Sequence, residues 1–169
     1  MDAVTSFDWN SFPAAREARL ELVPDIARDA LRVLEGVLDE MNHACTFTLT
    51  DGPLGDGDTT AAVEALLPTD CRVTQLEPVP SWSELARESL PGLFIPWRPE
   101  EMWQRGSPPR ELAEALGDWT LALLARLWPA TAEAWSVTVE CRSWYEGAYL
   151  DLAVRTTDQM WLLHLGVTD

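Results

Sequence analysis

From Pro24 onward, apolar side chains recur at the spacing of a helix: Ile26, Ala30, Val33, Leu34, Val37, Leu38 and Met41. Steps of three and four residues place them on one face. Asp25, Arg28, Asp29, Arg32, Glu35 and Asp39 fall on the other face, where alternating acid and arginine predict a solvated, largely self-neutralising surface. Pro13 opens an earlier helical stretch, which Pro24 interrupts or kinks. The period then changes to two. Cys45, Phe47 and Leu49 alternate with Thr46, Thr48 and Thr50, the pattern of a half-buried strand.

A Gly- and Asp-rich loop, residues 51–58, leads to a short helix capped by Thr59 or Thr60 and ending near Leu67. Cys71 to Leu76 reads as a second strand. Ser81-Trp82-Ser83-Glu84 is a capping box for a helix to Leu90. An irregular proline–tryptophan segment fills residues 91–106. Ser107 and Pro108 then start a helix striped by Leu112, Leu116, Trp119, Leu123 and Leu127, widened by Leu121, Leu124 and Trp128, so more than one side is buried. Three strands follow in the C-terminal third, around Val137–Cys141, Ala148–Arg155 and Met160–Val167. The last is apolar on both faces and belongs in the sheet interior. Short connections make these three an antiparallel meander. The expected fold is α+β: one domain over residues 1–169, with residues 1–12 an arm, about five mainly antiparallel strands, and helices on one face.

Charge restricts the partners. Twenty-eight acids face twelve basic residues, all arginine, for a formal charge of −16. Phosphate-rich partners are repelled, which excludes nucleic acid and anionic membrane surfaces. Hydrophobic residues at 47% and nine tryptophans mark a folded chain rather than an acidic tail. No apolar run reaches the roughly 18 residues of a membrane span, and the N-terminus shows no secretory pattern. Cys45, Cys71 and Cys141 are an odd, widely spaced set, read as reduced core residues of a cytoplasmic protein.

The acid excess is local. Residues 42–80 hold Asp51, Asp56, Asp58, Glu64, Asp70 and Glu77 against Arg72 alone. Gathered by the fold, they would steer a basic partner. The segment containing Trp97, Arg98, Glu100, Glu101, Met102 and Trp103 carries residue types enriched at interface centres, and its competing role is a cover over the core. A polar sheet face bearing Thr46, Thr48, Thr138, Glu140, Arg142, Tyr149, Asp151 and Arg155 is a second candidate surface.

Enzymatic signals are few. Asp51, Asp56 and Asp58 on glycine-rich backbone are candidate ligands for Mg²⁺ or Ca²⁺, ahead of a helix N-terminus suited to phosphate. Gly55-Asp56-Gly57-Asp58-Thr59 resembles the Gly-Asp-Gly-Asp signature of the nucleotide-binding subunit of dihydroxyacetone kinases. That resemblance spans about ten residues and implies aspartates holding magnesium on ATP phosphates. Thr60 stands where the family has glycine, and a strand precedes the loop where the family is an all-helical barrel. Turn geometry is the simpler role. His164 is expected mid-strand, satisfied by a backbone carbonyl rather than acting as a base. A pocket lined by Trp119, Trp128 and Trp161 competes with plain packing.

The favoured expectation is a non-enzymatic acidic binding protein without cofactor, of the immunity-protein kind. It would neutralise a basic protein such as a toxin through Asp56, Asp58, Glu64, Asp70 and the Trp97–Trp103 segment. The alternative is a small metal-dependent nucleotide-binding or phosphoryl-transfer protein using Asp51, Asp56 and Asp58. A small-molecule ligand remains open.

Overall fold

In the computed structural model, which describes residues 21–40, 44–55, 58–94 and 110–168, five strands form one antiparallel sheet. They are β1 (Cys45–Pro53), β2 (Cys71–Val79), β3 (Glu133–Cys141), β4 (Ala148–Arg155) and β5 (Gln159–Val167), in the order β1-β5-β4-β3-β2. The C-terminal strands are the expected meander, and β1 pairs with β5 from Cys45↔Val167 to Pro53↔Gln159. β5 is therefore interior, and Met160 to Val167 is buried without a break. The described helices are α1 (Val23–Glu40), α2 (Thr59–Glu64), α3 (Trp82–Phe94) and α4 (Arg110–Leu127).

The three long helices share one face of the sheet. Their core joins Ala27, Leu31, Leu34 and Leu38 of α1 to Phe47, Leu49, Leu152, Leu163 and Leu165. Trp128 sits at its centre, edge-on to Trp82 at 5.1 Å and to Trp161 at 6.4 Å. The Trp82 indole N–H donates to the Pro129 carbonyl at 3.0 Å, so one buried polar atom of the cluster is satisfied. The short helix α2 lies on the opposite face, where Ala62, Val63 and Leu67 pack on Val137, Ala153, Met160 and Leu162. Both faces of the sheet centre are thereby covered, which is why β5 needs no polar side.

Pro24 lies in the first turn of α1, where no intrahelical N–H is required, and the turn at Leu22 separates helical Glu21 from α1, so the expected interruption is present. Several boundaries and faces differ from the sequence expectation. The buried stripe of α1 runs through Ala27, Ala30, Leu31, Leu34 and Leu38, while Ile26 and Val33 are exposed. In α4, Ala113, Thr120 and Leu124 face inward, and Leu112 and Trp119 outward. Small residues let these helices approach the sheet closely, and a reading that weights large side chains rotates the stripe. One half of the capping box is present, with the Glu84 N–H on Ser81 Oγ at 3.3 Å, although α3 continues through Pro91 to Phe94.

The polar face of α1 is not merely solvated. Glu35 accepts the Phe47 N–H, and Arg28 Nε donates to the Leu49 carbonyl at 3.0 Å. These two groups close the free edge of β1. At the other edge, Glu64 accepts the Val73 N–H at 3.0 Å. A register irregularity between Val73 and Gln75, followed by Pro78, further blunts β2. Among the described residues, no helix is long and apolar enough to cross a membrane.

Candidate functional site

The loop between β3 and β4, residues 142–147, stands between two features: a buried polar cluster behind it and an acidic surface beside it. Strand pairing builds the cluster. Asp151 on β4 lies opposite His164 on β5, and both side chains point to the face that carries α2. The Asp151 carboxylate has no solvent exposure, and that of Glu146 is 6% exposed. His164 Nδ1 is 2.7 Å from Asp151 Oδ1, and the Tyr145 hydroxyl donates to Asp151 Oδ2 at 2.8 Å. The carboxylate only accepts, so the ring hydrogen sits on Nδ1. The other nitrogen, Nε2, faces Glu146 Oε1 at 3.7 Å, beyond hydrogen-bond reach. Burial, and next the charge of Asp151, hold the Tyr145 hydroxyl well above the usual phenol range.

Gly166 makes this packing possible. A methyl group there would lie 2.6 Å from Glu146 Cγ and 2.7 Å from His164 Nε2, so the Glu146 side chain occupies the space that any larger residue would fill. The expectation for His164 is corrected accordingly: it is buried mid-strand, but satisfied by a carboxylate and a tyrosine rather than by a carbonyl. Sequence reasoning passed over Tyr145 and Glu146 entirely. The available signal was a strand aspartate in an otherwise apolar run beside a strand histidine, since a buried carboxylate requires a donor. Chemically, an Asp–His pair is the core of a general-base arrangement. Here Nε2 turns towards a buried glutamate instead of an open cleft, so the cluster ties a loop to a sheet.

The acidic surface is built by α2 and β2, which pack together. Asp58 caps α2, accepting the Thr60 N–H at 3.0 Å, in place of the expected Thr59 or Thr60. Glu64 holds the β2 edge. At the start of β2, the Asp70 carbonyl accepts the Arg142 N–H at 3.1 Å, and its carboxylate accepts the Ser143 hydroxyl. That hydroxyl bond is the main reason the Asp70 carboxyl is held below its ordinary value. Arg72 is paired with Glu140. A half-open cleft of about 310 Å³ lies between residues 69–72 and 140–142.

At its base, Cys71 and Cys141 are joined in a disulfide across directly paired strand positions, with Cα atoms 4.0 Å apart. This overturns the expectation of three reduced core cysteines. Their separation of 70 residues concealed that β2 and β3 pair in register. In the loop that follows, Trp144 is 74% exposed.

The other candidates are distributed as follows. Asp51 is in β1 and is bound by Arg28, which also holds Asp25 at 2.9 Å, so it does not converge with Asp58. Gly55 has φ of +61°, the left-handed conformation that suits glycine in the turn after β1. Asp56, Trp97, Arg98, Glu100, Glu101 and Trp103 lie outside the described residues, as does the helix start at Ser107 and Pro108. Among the described residues, no group of three or more His, Cys, Asp or Glu side chains is placed to hold a metal ion. Trp128 and Trp161 are core residues, and Trp119 is 46% exposed, so these three do not line a common pocket.

The expected polar sheet face is divided. Tyr149, Asp151 and Arg155 share the face of His164. On β3 it is Val137 that pairs with Asp151, which puts Thr138 and Glu140 on the opposite side, and Arg142 lies past the end of the strand. No protein-family model, curated protein or solved structure matches the chain.

Proposed function

We propose that this chain is a non-enzymatic acidic binding protein that docks onto a basic protein, in the manner of an immunity-type inhibitor that neutralises a cationic toxin. One observation carries the reading: Asp58 and Glu64 bracket α2, Asp70 directly precedes β2, the strand on which α2 packs, and the Arg72 beside them is occupied by Glu140, while Glu77 adds an acid on the other face of β2. Glu64 and Asp58 serve the backbone through single oxygens, so their charges still project into solvent. A field of this sign raises association with a cationic protein from about 10⁵–10⁶ towards 10⁸ M⁻¹s⁻¹ at low salt. The enclosed setting of the Asp151–His164 pair, with Nε2 facing the buried Glu146 side chain, supports binding rather than catalysis.

The test uses isosteric neutralisation, with Asp58→Asn, Glu64→Gln, Asp70→Asn and Glu77→Gln combined, since each replacement keeps its accepting oxygen. A partner captured from the source cells should be basic. It should associate more slowly as salt rises, and should lose that salt dependence with the combined variant. A captured partner whose association rate is indifferent to ionic strength and to the four substitutions refutes the proposal.

A cytoplasmic setting belongs to the same proposal. Thiols are kept reduced there, so rapid alkylation in intact cells should find Cys71 and Cys141 as thiols. Finding them bonded places the protein in an oxidising compartment instead.

A further inference from the structure

We infer that Trp144 is the anchoring side chain for an arginine on the surface of the basic partner, an inference that rests on the docking reading above. Its neighbours in the loop are each fixed by the fold. Arg142 and Ser143 are bonded to Asp70 through backbone and hydroxyl respectively. Tyr145 is bonded to Asp151, and Glu146 lies buried against His164. The Gly147 N–H donates to the Val167 carbonyl at 2.9 Å. Pairing of Cys71 with Cys141 across β2 and β3 closes the base of the loop whether or not the two sulfurs are bonded. Trp144 takes no part in any of this, and among the described residues it is the most exposed large hydrophobic side chain.

Tryptophan is highly buried on average. One held out in water on a loop tied at both ends is preorganised for contact, because little conformational freedom remains to be lost on binding. The class of side chain it fits follows from its surroundings. An indole face attracts a guanidinium stacked over it, and a stacked guanidinium keeps N–H groups free for a carboxylate alongside. Asp70, joined to the residue next to Trp144, is such a carboxylate. Arg142 stands on the same loop, so the attraction for a cation is supplied by Asp70 together with Asp58 and Glu64 at the ends of α2. Lysine, a more strongly hydrated point charge, gains less from the indole.

The experiment is calorimetric titration of the full chain with hexa-arginine and hexa-lysine peptides at low salt. It compares the natural protein with Trp144→Ala, Trp144→Phe and the fourfold charge-neutralised variant. Trp144→Ala should weaken hexa-arginine binding by about 2- to 5-fold, the range for a solvent-exposed cation–π contact. Trp144→Phe should retain part of that affinity, and hexa-lysine should change less. Urea midpoints of the Trp144 variants should match the natural protein, as expected for a side chain without a structural role.

Weakening by charge neutralisation alone, with Trp144→Ala indistinguishable from the natural protein, overturns this inference and leaves the docking reading standing. If the neutralised variant binds hexa-arginine as well as the natural protein, or if no peptide binds at low salt, the docking reading fails and this inference fails with it.

Discussion

Replacing Tyr145 by phenylalanine removes one oxygen and tests the buried cluster directly. The hydroxyl donates to an Asp151 oxygen that has no access to water. A hydrogen bond to a charged acceptor contributes about 1.5–3 kcal/mol, and its loss leaves the acceptor buried with one donor fewer. Phenylalanine recovers a fraction through its lower cost of burial, but Tyr145 is only half-buried, so that gain is small. The expected net loss is about 2 kcal/mol, or a fall in Tm of roughly 4–8 °C for a chain of this size.

Urea unfolding should show a lower midpoint with an unchanged slope. Tyr149→Phe is the control: it stacks edge-on against Tyr145 at 5.0 Å, and its loss of hydroxyl should cost less than about 0.5 kcal/mol. The pH dependence adds a second reading. In the fold the Tyr145 hydroxyl stays protonated above its ordinary value of 10.0, whereas in the unfolded chain it ionises there. Its stabilisation is therefore complete below pH 10 and declines as pH rises further. The gap between natural protein and Tyr145→Phe should narrow above pH 10, by somewhat less than the roughly 1.4 kcal/mol per pH unit of one full proton, because the side chain is partly solvated. A loss no larger than that of Tyr149→Phe, or a gap that does not narrow above pH 10, refutes the assignment of this hydroxyl.

Four further outcomes are expected. Trp128→Ala opens a cavity between Trp82 and Trp161 and should cost about 3–5 kcal/mol by urea unfolding. Thiol titration of the denatured, oxidised protein should detect one thiol per chain before reduction and three after it. Cys71→Ser should lower stability by roughly 2–4 kcal/mol under oxidising conditions, the typical range for a disulfide and a little below the roughly 4.4 kcal/mol of ideal loop entropy for a separation of 70 residues, and by much less in reductant. Ser143→Ala should return the Asp70 carboxyl towards its ordinary value of 3.8, measured by NMR titration. Because the folded value is depressed, the Ser143 contribution is present above that ordinary value and disappears as pH falls through the folded one.

Strand content was the most readable part of the chain, because period-two alternation and a two-faced apolar run leave few alternatives for β1 and β5. Helix faces were less so. Ala27, Ala113 and Thr120 are buried because they are small, and a pattern search guided by Ile26, Val33 and Trp119 points elsewhere. The site was hidden for a different reason. Tyr145, Glu146, Asp151 and His164 converge only through the β4–β5 register, and Cys71 meets Cys141 only through β2–β3 pairing. A linear reading sees each residue alone and assigns it the commonest role for its type. Local chemistry was better served at Gly55, whose left-handed turn fits the turn geometry expected of the loop, while the cap fell on Asp58 rather than on Thr59 or Thr60.

The carboxylates Glu35 and Glu64 have a consequence beyond charge. Each occupies a backbone N–H on an outermost strand, one at either end of the sheet, where an incoming strand would have to bond. A second molecule cannot extend the ladder at Phe47 or Val73 without first displacing an acid, and Pro78 offers no N–H to a newcomer. Growth of the sheet from copy to copy, the first step towards a fibre, is thus obstructed by the same class of residue that gives the chain its net charge. An incoming chain would have to be held by side chains and loops rather than by strand addition at these two positions.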